Sequence, residues 1–109
     1  MKVSAWKDRG RNDTDTNCAF GLNVGKPNRR TYFEGLAKVE IDIDGQLHLF
    51  SLQRKTFWDT CPELRDEDTT GTPIRNWLER HKCLTWPKGN PPRFELTHLK
   101  NERFRLRLQ

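Results

Sequence analysis

The sequence predicts a mainly β chain with two short helices, its strands closing into a small barrel. Three observations carry this. Apolar and polar residues alternate over several short stretches, as in strands with one buried face. Strong turn signals and proline clusters separate these stretches. Helical punctuation occurs only twice.

Of the 109 residues, 24 are Leu, Ile, Val or Phe, just above the level at which core formers become too scarce for folding. Four Trp and six Phe offset this, because each ring buries more surface than an aliphatic side chain. The expected core is therefore small and aromatic-rich, and the length fits a single domain over residues 1–109.

Taken in order, Lys2 to Trp6 is a short strand, and Lys7 to Asn17, which has no apolar residue, is an exposed arm. Cys18, Phe20, Leu22 and Val24 alternate as a strand. Pro27 suits a first helical position, and Asn28 to Glu34 make about two turns before Gly35. Val39, Ile41 and Ile43 lead into Asp44-Gly45, the strongest short hairpin signal, and the return strand is Gln46 to Leu52. Its apolar set shifts from Leu47 and Leu49 to Phe50 and Leu52, which predicts a bulge or burial on both faces.

From Gln53 to Gly71 the pattern is irregular, a loop with one helical turn. Thr72 as cap and Pro73 as first residue open a helix that carries Ile74, Trp77, Leu78 and His81 on one face. Pro87, Pro91 and Pro92 impose an extended connection. The chain ends in a second hairpin, with Phe94 and Leu96 on one arm and Phe104, Leu106 and Leu108 on the other. Arg103, Arg105 and Arg107 occupy the opposite face of that last strand, either as a cationic face or as the charges that protect a sheet edge. Strands joined mainly by hairpins favour a barrel over a parallel α/β sheet.

The net charge is +5, and its distribution says more than the sum. Residues 1–35 and 71–109 carry excess Lys and Arg, while residues 36–70 carry excess Asp and Glu. If the two ends meet in space, they form one face suited to phosphate. No apolar run reaches membrane-spanning length and no secretory leader pattern is present, so a cytoplasmic, membrane-free protein is expected. Three widely spaced cysteines, Cys18, Cys61 and Cys83, fit neither a disulfide framework nor a zinc knuckle.

Enzyme signatures are missing, so no catalytic activity, cofactor or metal is expected. There is no glycine-rich phosphate loop. Ser4 and Ser51 have no nucleophile-elbow context, and His48, His81 and His98 stand alone. Binding features are better represented. In the first arm, Lys7, Arg9, Arg11 and Asn12 combine cations with an amide on a strip free of bulk. Arg pairs with guanine, Asn with adenine, and Lys neutralises phosphate. Arg54, Lys55 and Trp58, beside Phe57, mix cations with rings, which suits phosphate contact with stacking; both rings also suit a core.

The order of elements resembles the DNA-binding pseudobarrel family that includes the plant B-three transcription-factor domain and the specificity domains of some bacterial type II restriction enzymes. FGLNVGKPNRRTYF is similar to the family's strand leading into a helix that ends in an aromatic, and VEIDIDGQLHLFSL to its central hairpin. IRNWLERHKCLTWPKGNPPRFEL is similar to its later helix, glycine turn and F-x-L strand. Two features depart from the pattern. Lys88 to Pro92 replace a glycine-aspartate turn, and Cys61 to Gly71 are longer and more acidic than a simple arm.

The resemblance implies an open pseudobarrel of about seven strands that grips double-stranded DNA with two arms and reads its major groove. Recognition would be sequence- or modification-specific, in a bacterial restriction-modification or defence assembly. By position, Lys7, Arg9, Arg11 and Asn12 would be contacts of the N-terminal arm, and Arg54, Lys55 and Trp58 contacts of the C-terminal arm. The alternative is a protein-interaction or inhibitor module whose acidic segment, Asp59 to Asp68, docks a basic partner.

Overall fold

A computed structural model describes residues 1–8, 16 and 18–109. Its centre is a seven-stranded, nearly closed sheet of β1 (Lys2–Lys7), β2 (Phe20–Asn23), β3 (Lys38–Ile43), β4 (Gln46–Ser51), β5 (Glu63–Arg65), β6 (Arg93–Lys100) and β7 (Arg103–Leu108). The strand order is β4-β3-β7-β6-β1-β2-β5. Every neighbouring pair is antiparallel except β3 with β7. The expected barrel-like, mainly β architecture is thus the observed one, with β4 and β5 as its two open edges.

Alternation builds the core as the sequence predicts. Val3 and Ala5 of β1, Val39, Ile41 and Ile43 of β3, and Phe104 and Leu106 of β7 all point inward and are buried. All six Phe and Trp77 are buried too. Phe33 stacks on Phe104 with ring centroids 5.0 Å apart, and meets Phe57 edge-on at 5.9 Å. This aromatic chain fastens the short helices to the inside of the sheet, where offset and edge-on rings gain most.

The helical pieces sit at the ends of the barrel. The first, α1 (Lys26–Asn28), continues as a π-helical turn over Arg29–Phe33, so the helical stretch begins one residue before Pro27 and ends one before Glu34. The next is α2 (Lys55–Trp58), and α3 (Pro73–Arg80) buries Ile74, Trp77 and Leu78, the face that the periodicity marks out.

Three expectations fail. The β3–β4 register runs unbroken from Ile43 opposite Gln46 to Lys38 opposite Ser51, so β4 has no bulge. Instead Phe50 points in while Leu47 and Leu49 lie exposed on the outer face, and the irregularity falls in β6 between His98 and Lys100. Secondly, β7 is no sheet edge: it lies between β3 and β6, and its outward Arg103 and Arg105 pair with Glu40 (3.1 Å) and Asp42 (3.2 Å) of β3. The arginine stripe is mostly neutralised by the neighbouring strand. Thirdly, the irregular segment holds a strand, β5, which carries a single inward apolar residue, Leu64. One apolar residue leaves no period to detect.

β5 can pair with β2 only because of Gly21. A Cβ at this position would lie 2.6 Å from the Leu64 carbonyl oxygen, 3.1 Å from the Arg65 Cα and 3.2 Å from Trp6 Cε3. Two of these atoms are backbone in the same sheet and cannot swing aside. Gly21→Ala is therefore expected to destabilise the fold by about 2–3 kcal/mol, the range of an overpacked site. Urea unfolding measures this; a loss under about 0.5 kcal/mol, typical of neutral surface changes, would contradict the described packing.

Candidate nucleic-acid interface

The first connection joins β1 to β2. Arg9, Arg11 and Asn12, three of its expected contacts, lie outside the described residues. The fourth, Lys7, belongs to β1, and its ammonium lies 4.6 Å from the centre of the Trp86 ring and 3.5 Å from the Leu84 carbonyl oxygen. The root of the connection is closed by Asp8 N donating to the Ala19 carbonyl (2.9 Å), and Arg75 donates to the Thr16 carbonyl (3.3 Å).

The second connection, between β4 and β5, contains α2 and is held at many points. Phe57 is buried, and Trp58 Nε1 donates to the Leu52 carbonyl at 2.6 Å. Arg29 of the π-turn donates to the carbonyls of Phe57 (2.7 Å) and Asp59 (3.2 Å). Arg54 makes a two-pronged pair with Asp68, Nε to Oδ1 at 3.2 Å and Nη2 to Oδ2 at 3.1 Å, and also donates to the Glu63 carbonyl. Of the three expected contacts here, Arg54 and Trp58 hold the chain together, while Lys55 is exposed and makes no ion pair among the described residues. Lys26 and Arg30 of the neighbouring helix are exposed as well.

Between the two connections lies the outer face of β6, β1, β2 and β5. Register sets its side chains in rows: Arg93, Ser4, Asn23 and Glu63 form one, and Trp6, Gly21 and Arg65 the next. Gly21 offers no side chain, so Trp6 leans across it, and the Arg65 guanidinium sits 4.3 Å from the Trp6 ring centre. Arg65 is braced by Glu63 (2.9 Å) and Glu67 (3.0 Å). Burial works against its charge, but these hydrogen bonds and charges carry its pKa above the ordinary value.

A cleft of about 310 Å³ opens on this face. Trp6, Asn23, Glu63 and Arg65 supply its floor, Asp8 stands at the root of the first connection, and Thr60 to Pro62 come from the end of the second. The sequence reading missed these floor residues. The signal lay in β1, where Lys2, Ser4 and Trp6 alternate with the buried Val3 and Ala5.

The acidic run is largely internal. Asp66 is 6% exposed, and its two oxygens accept the backbone N–H groups of Ile74 (2.8 Å) and Arg75 (3.0 Å). Thr72, the expected cap of α3, makes no capping bond; its hydroxyl faces Asn76. A carboxylate from six residues upstream takes the cap role, satisfying donors that a helix start leaves orphaned. Asp68 is held by Arg54, and Glu67 pairs with Arg65. Among the described residues no three His, Cys, Asp or Glu side chains gather to hold a metal, and no helix is long and apolar enough to cross a membrane.

Burial pushes the Asp66 carboxyl up to about 6, although the two N–H groups and the Arg75 charge pull the other way. With its folded pKa above the unfolded one, Asp66 favours the folded state most when protonated, and this contribution declines as pH rises from about 4 to about 6. The stability advantage of the wild type over Asp66→Asn should accordingly shrink by up to about 2–3 kcal/mol over that interval. Unfolding curves for both proteins at the two ends of the range measure it; a constant difference would refute the assignment.

No protein-family model, no curated protein and no solved structure matches this chain.

Proposed function

We propose that the chain binds double-stranded DNA, with the outer face of β1, β2 and β5 turned to the duplex and the two connections reaching along it from opposite ends. In this reading it discriminates sequence or base modification, catalyses nothing itself, and serves as the recognition module of a bacterial restriction or defence assembly. The supporting observation is the cleft that has Asp8 from the first connection on one side and Thr60 to Pro62 from the second on the other.

Electrostatics agrees with this orientation. Asp66 and Asp68 are used internally; of the carboxylates on or beside the face, Glu63 and Glu67 are paired with Arg65 and Glu95 with the N-terminal ammonium, while Asp8 lines the cleft. Exposed Lys2, Arg93, Lys55, Lys26 and Arg30 remain for phosphate. From the first connection, Arg9, Arg11 and Asn12 are the proposed base and phosphate contacts, and Lys7 marks its root. In the second, Lys55 is the phosphate contact, while Arg54 and Trp58 hold its shape.

Counterion release makes this testable. Affinity for duplex DNA should fall steeply with salt, and Lys55→Ala should weaken specific and random duplexes alike while lowering the log–log slope by about one. Arg54→Ala should act on folding instead, costing about 3 kcal/mol because Asp68 is left buried without its partner. Arg11→Ala should relax discrimination at one base pair by about 1–3 kcal/mol. Salt-titrated anisotropy and urea unfolding separate these outcomes. Failure to bind any duplex at about 50 mM salt, where phosphate contacts are strong, would refute the reading.

A further inference from the structure

A second cleft, of about 250 Å³, adjoins the one already described and shares Asn23 with it. Lys2, Ser4, Asn23, Gly25 and Arg93 line its polar side, with no carboxylate among its lining residues. One cleft is thus cationic and open; the other holds a ring, a guanidinium and two carboxylates, Glu63 on its floor and Asp8 at its edge. Along β1 the distance from Lys2 to Trp6 is about 13 Å at the rise of a strand, the length scale of one nucleotide from phosphate to the far edge of its base.

We propose that these joined clefts form a site for a single nucleotide, its phosphate between Lys2, Ser4 and Arg93 and its base in the cleft of Trp6, Asn23, Glu63 and Arg65. The phosphate end has two exposed cations and a hydroxyl, the donors that phosphate recognition uses. At the base end, the stacking platform is Arg65. One face of its guanidinium lies on Trp6, and its edges are spent on Glu63 and Glu67. Arg65 lines the cleft, and in the proposed site a base covers the guanidinium face turned from Trp6, since guanidinium planes stack on bases as aromatic rings do.

Two polar groups would read the base edge. Asn23 Oδ1 accepts from Gly25 N at 2.9 Å, which fixes the amide and leaves its NH2 to donate; no described group accepts from it. Glu63 is 5% exposed, and its Oε1 takes both bonds from Arg65 while Oε2 has no donor. Among the described residues every fully buried side-chain polar atom has a partner, so Oε2 is not fully buried, and Glu63 lines the cleft. A carboxylate acceptor beside an amide donor matches a base with an exocyclic amine, as carboxylates accept from cytosine N4. Thymine offers no such group.

The site stands on the two clefts and not on the duplex reading, so mononucleotides test it separately. Backbone amide spectra of the whole chain would be followed during titration with the four deoxynucleoside monophosphates, their nucleosides and inorganic phosphate. The expected result is saturable shifts at Ser4, Trp6, Asn23 and Glu63 with dissociation constants of about 1 mM or tighter. Amine-bearing nucleotides should bind at least three-fold tighter than the thymine nucleotide. Arg93→Ala should erase the advantage of nucleotide over nucleoside, and Glu63→Gln the preference for an amine. Should Glu63→Gln fail to fold, Asn23→Ala takes its place as the base-edge variant.

Absence of saturable shifts at those amides up to about 10 mM, or equal binding of phosphate alone, would overturn the proposal. A duplex carrying one unpaired nucleotide identifies the source. Tighter binding than to the fully paired duplex, lost on Arg93→Ala and competed by mononucleotide, assigns the site to a nucleotide turned out of a strand. Mononucleotide binding without that preference assigns it to free nucleotides.

Discussion

The two carboxylates Asp66 and Asp68 hold together the part of the barrel where the sheet does not close. β5 has only three residues and is paired on one side alone, too little to fix a strand by its own ladder. Asp68 accepts from Arg54, which stands before α2, and from the backbone N–H of Arg65 at the end of β5 (3.1 Å). Two residues earlier, Asp66 receives the first turn of α3. One turn of chain therefore sets the positions of the second connection, the edge strand and the longest helix. Such groups sit in low dielectric, where a satisfied polar network is strong and a half-satisfied one is costly. The raised pKa of Asp66 is the sign of that cost, offset by two backbone donors.

The same junction explains where sequence reasoning succeeds and where it stops. Elements that bury one face of several residues are legible, because alternation in β1, β2, β3 and β7 and the Ile74, Trp77 and Leu78 spacing in α3 report burial directly. β5 offers only Leu64, and the π-turn carries Phe33 into tertiary contact, edge-on to Phe57 and stacked on Phe104. The acidic run is where composition misleads most. Contiguous carboxylates read as a solvated or docking surface, yet their use as cap and ion-pair partners depends on Arg54, Ile74 and Arg75, which are 8 to 14 residues distant. No local pattern encodes those meetings.

The candidate site divides in the same way. Lys55 is legible as an exposed cation, but composition alone does not distinguish it from Arg54 next door, whose guanidinium is committed to Asp68 and the Glu63 carbonyl. A charge stripe is similarly ambiguous. Arg103 and Arg105 look like a cationic face until β3 is seen to bring Glu40 and Asp42 beside them through the one parallel pairing in the sheet. Charge in a sequence is counted along the chain, whereas phosphate would feel only the charge left after cross-strand neighbours have been paired.

What is left after pairing favours the other side of the barrel. On the outer face of β1, Lys2 and the adjacent Arg93 have no carboxylate within their cleft, and the helix that carries Lys26 and Arg30 adjoins it, with Asn28 donating to the Lys2 carbonyl (3.3 Å). The aromatic and hydrogen-bonding groups sit beside these cations, and Trp6 and Arg65 meet there because Gly21 vacates the space between them. The residue that lets the edge strand pair also creates the stacked floor of the cleft. Closure of the fold and the chemistry of the face therefore share one cause. A substitution at Gly21 would disturb the sheet and remove the platform together, whereas Arg93, exposed at the rim, can be changed to probe binding alone.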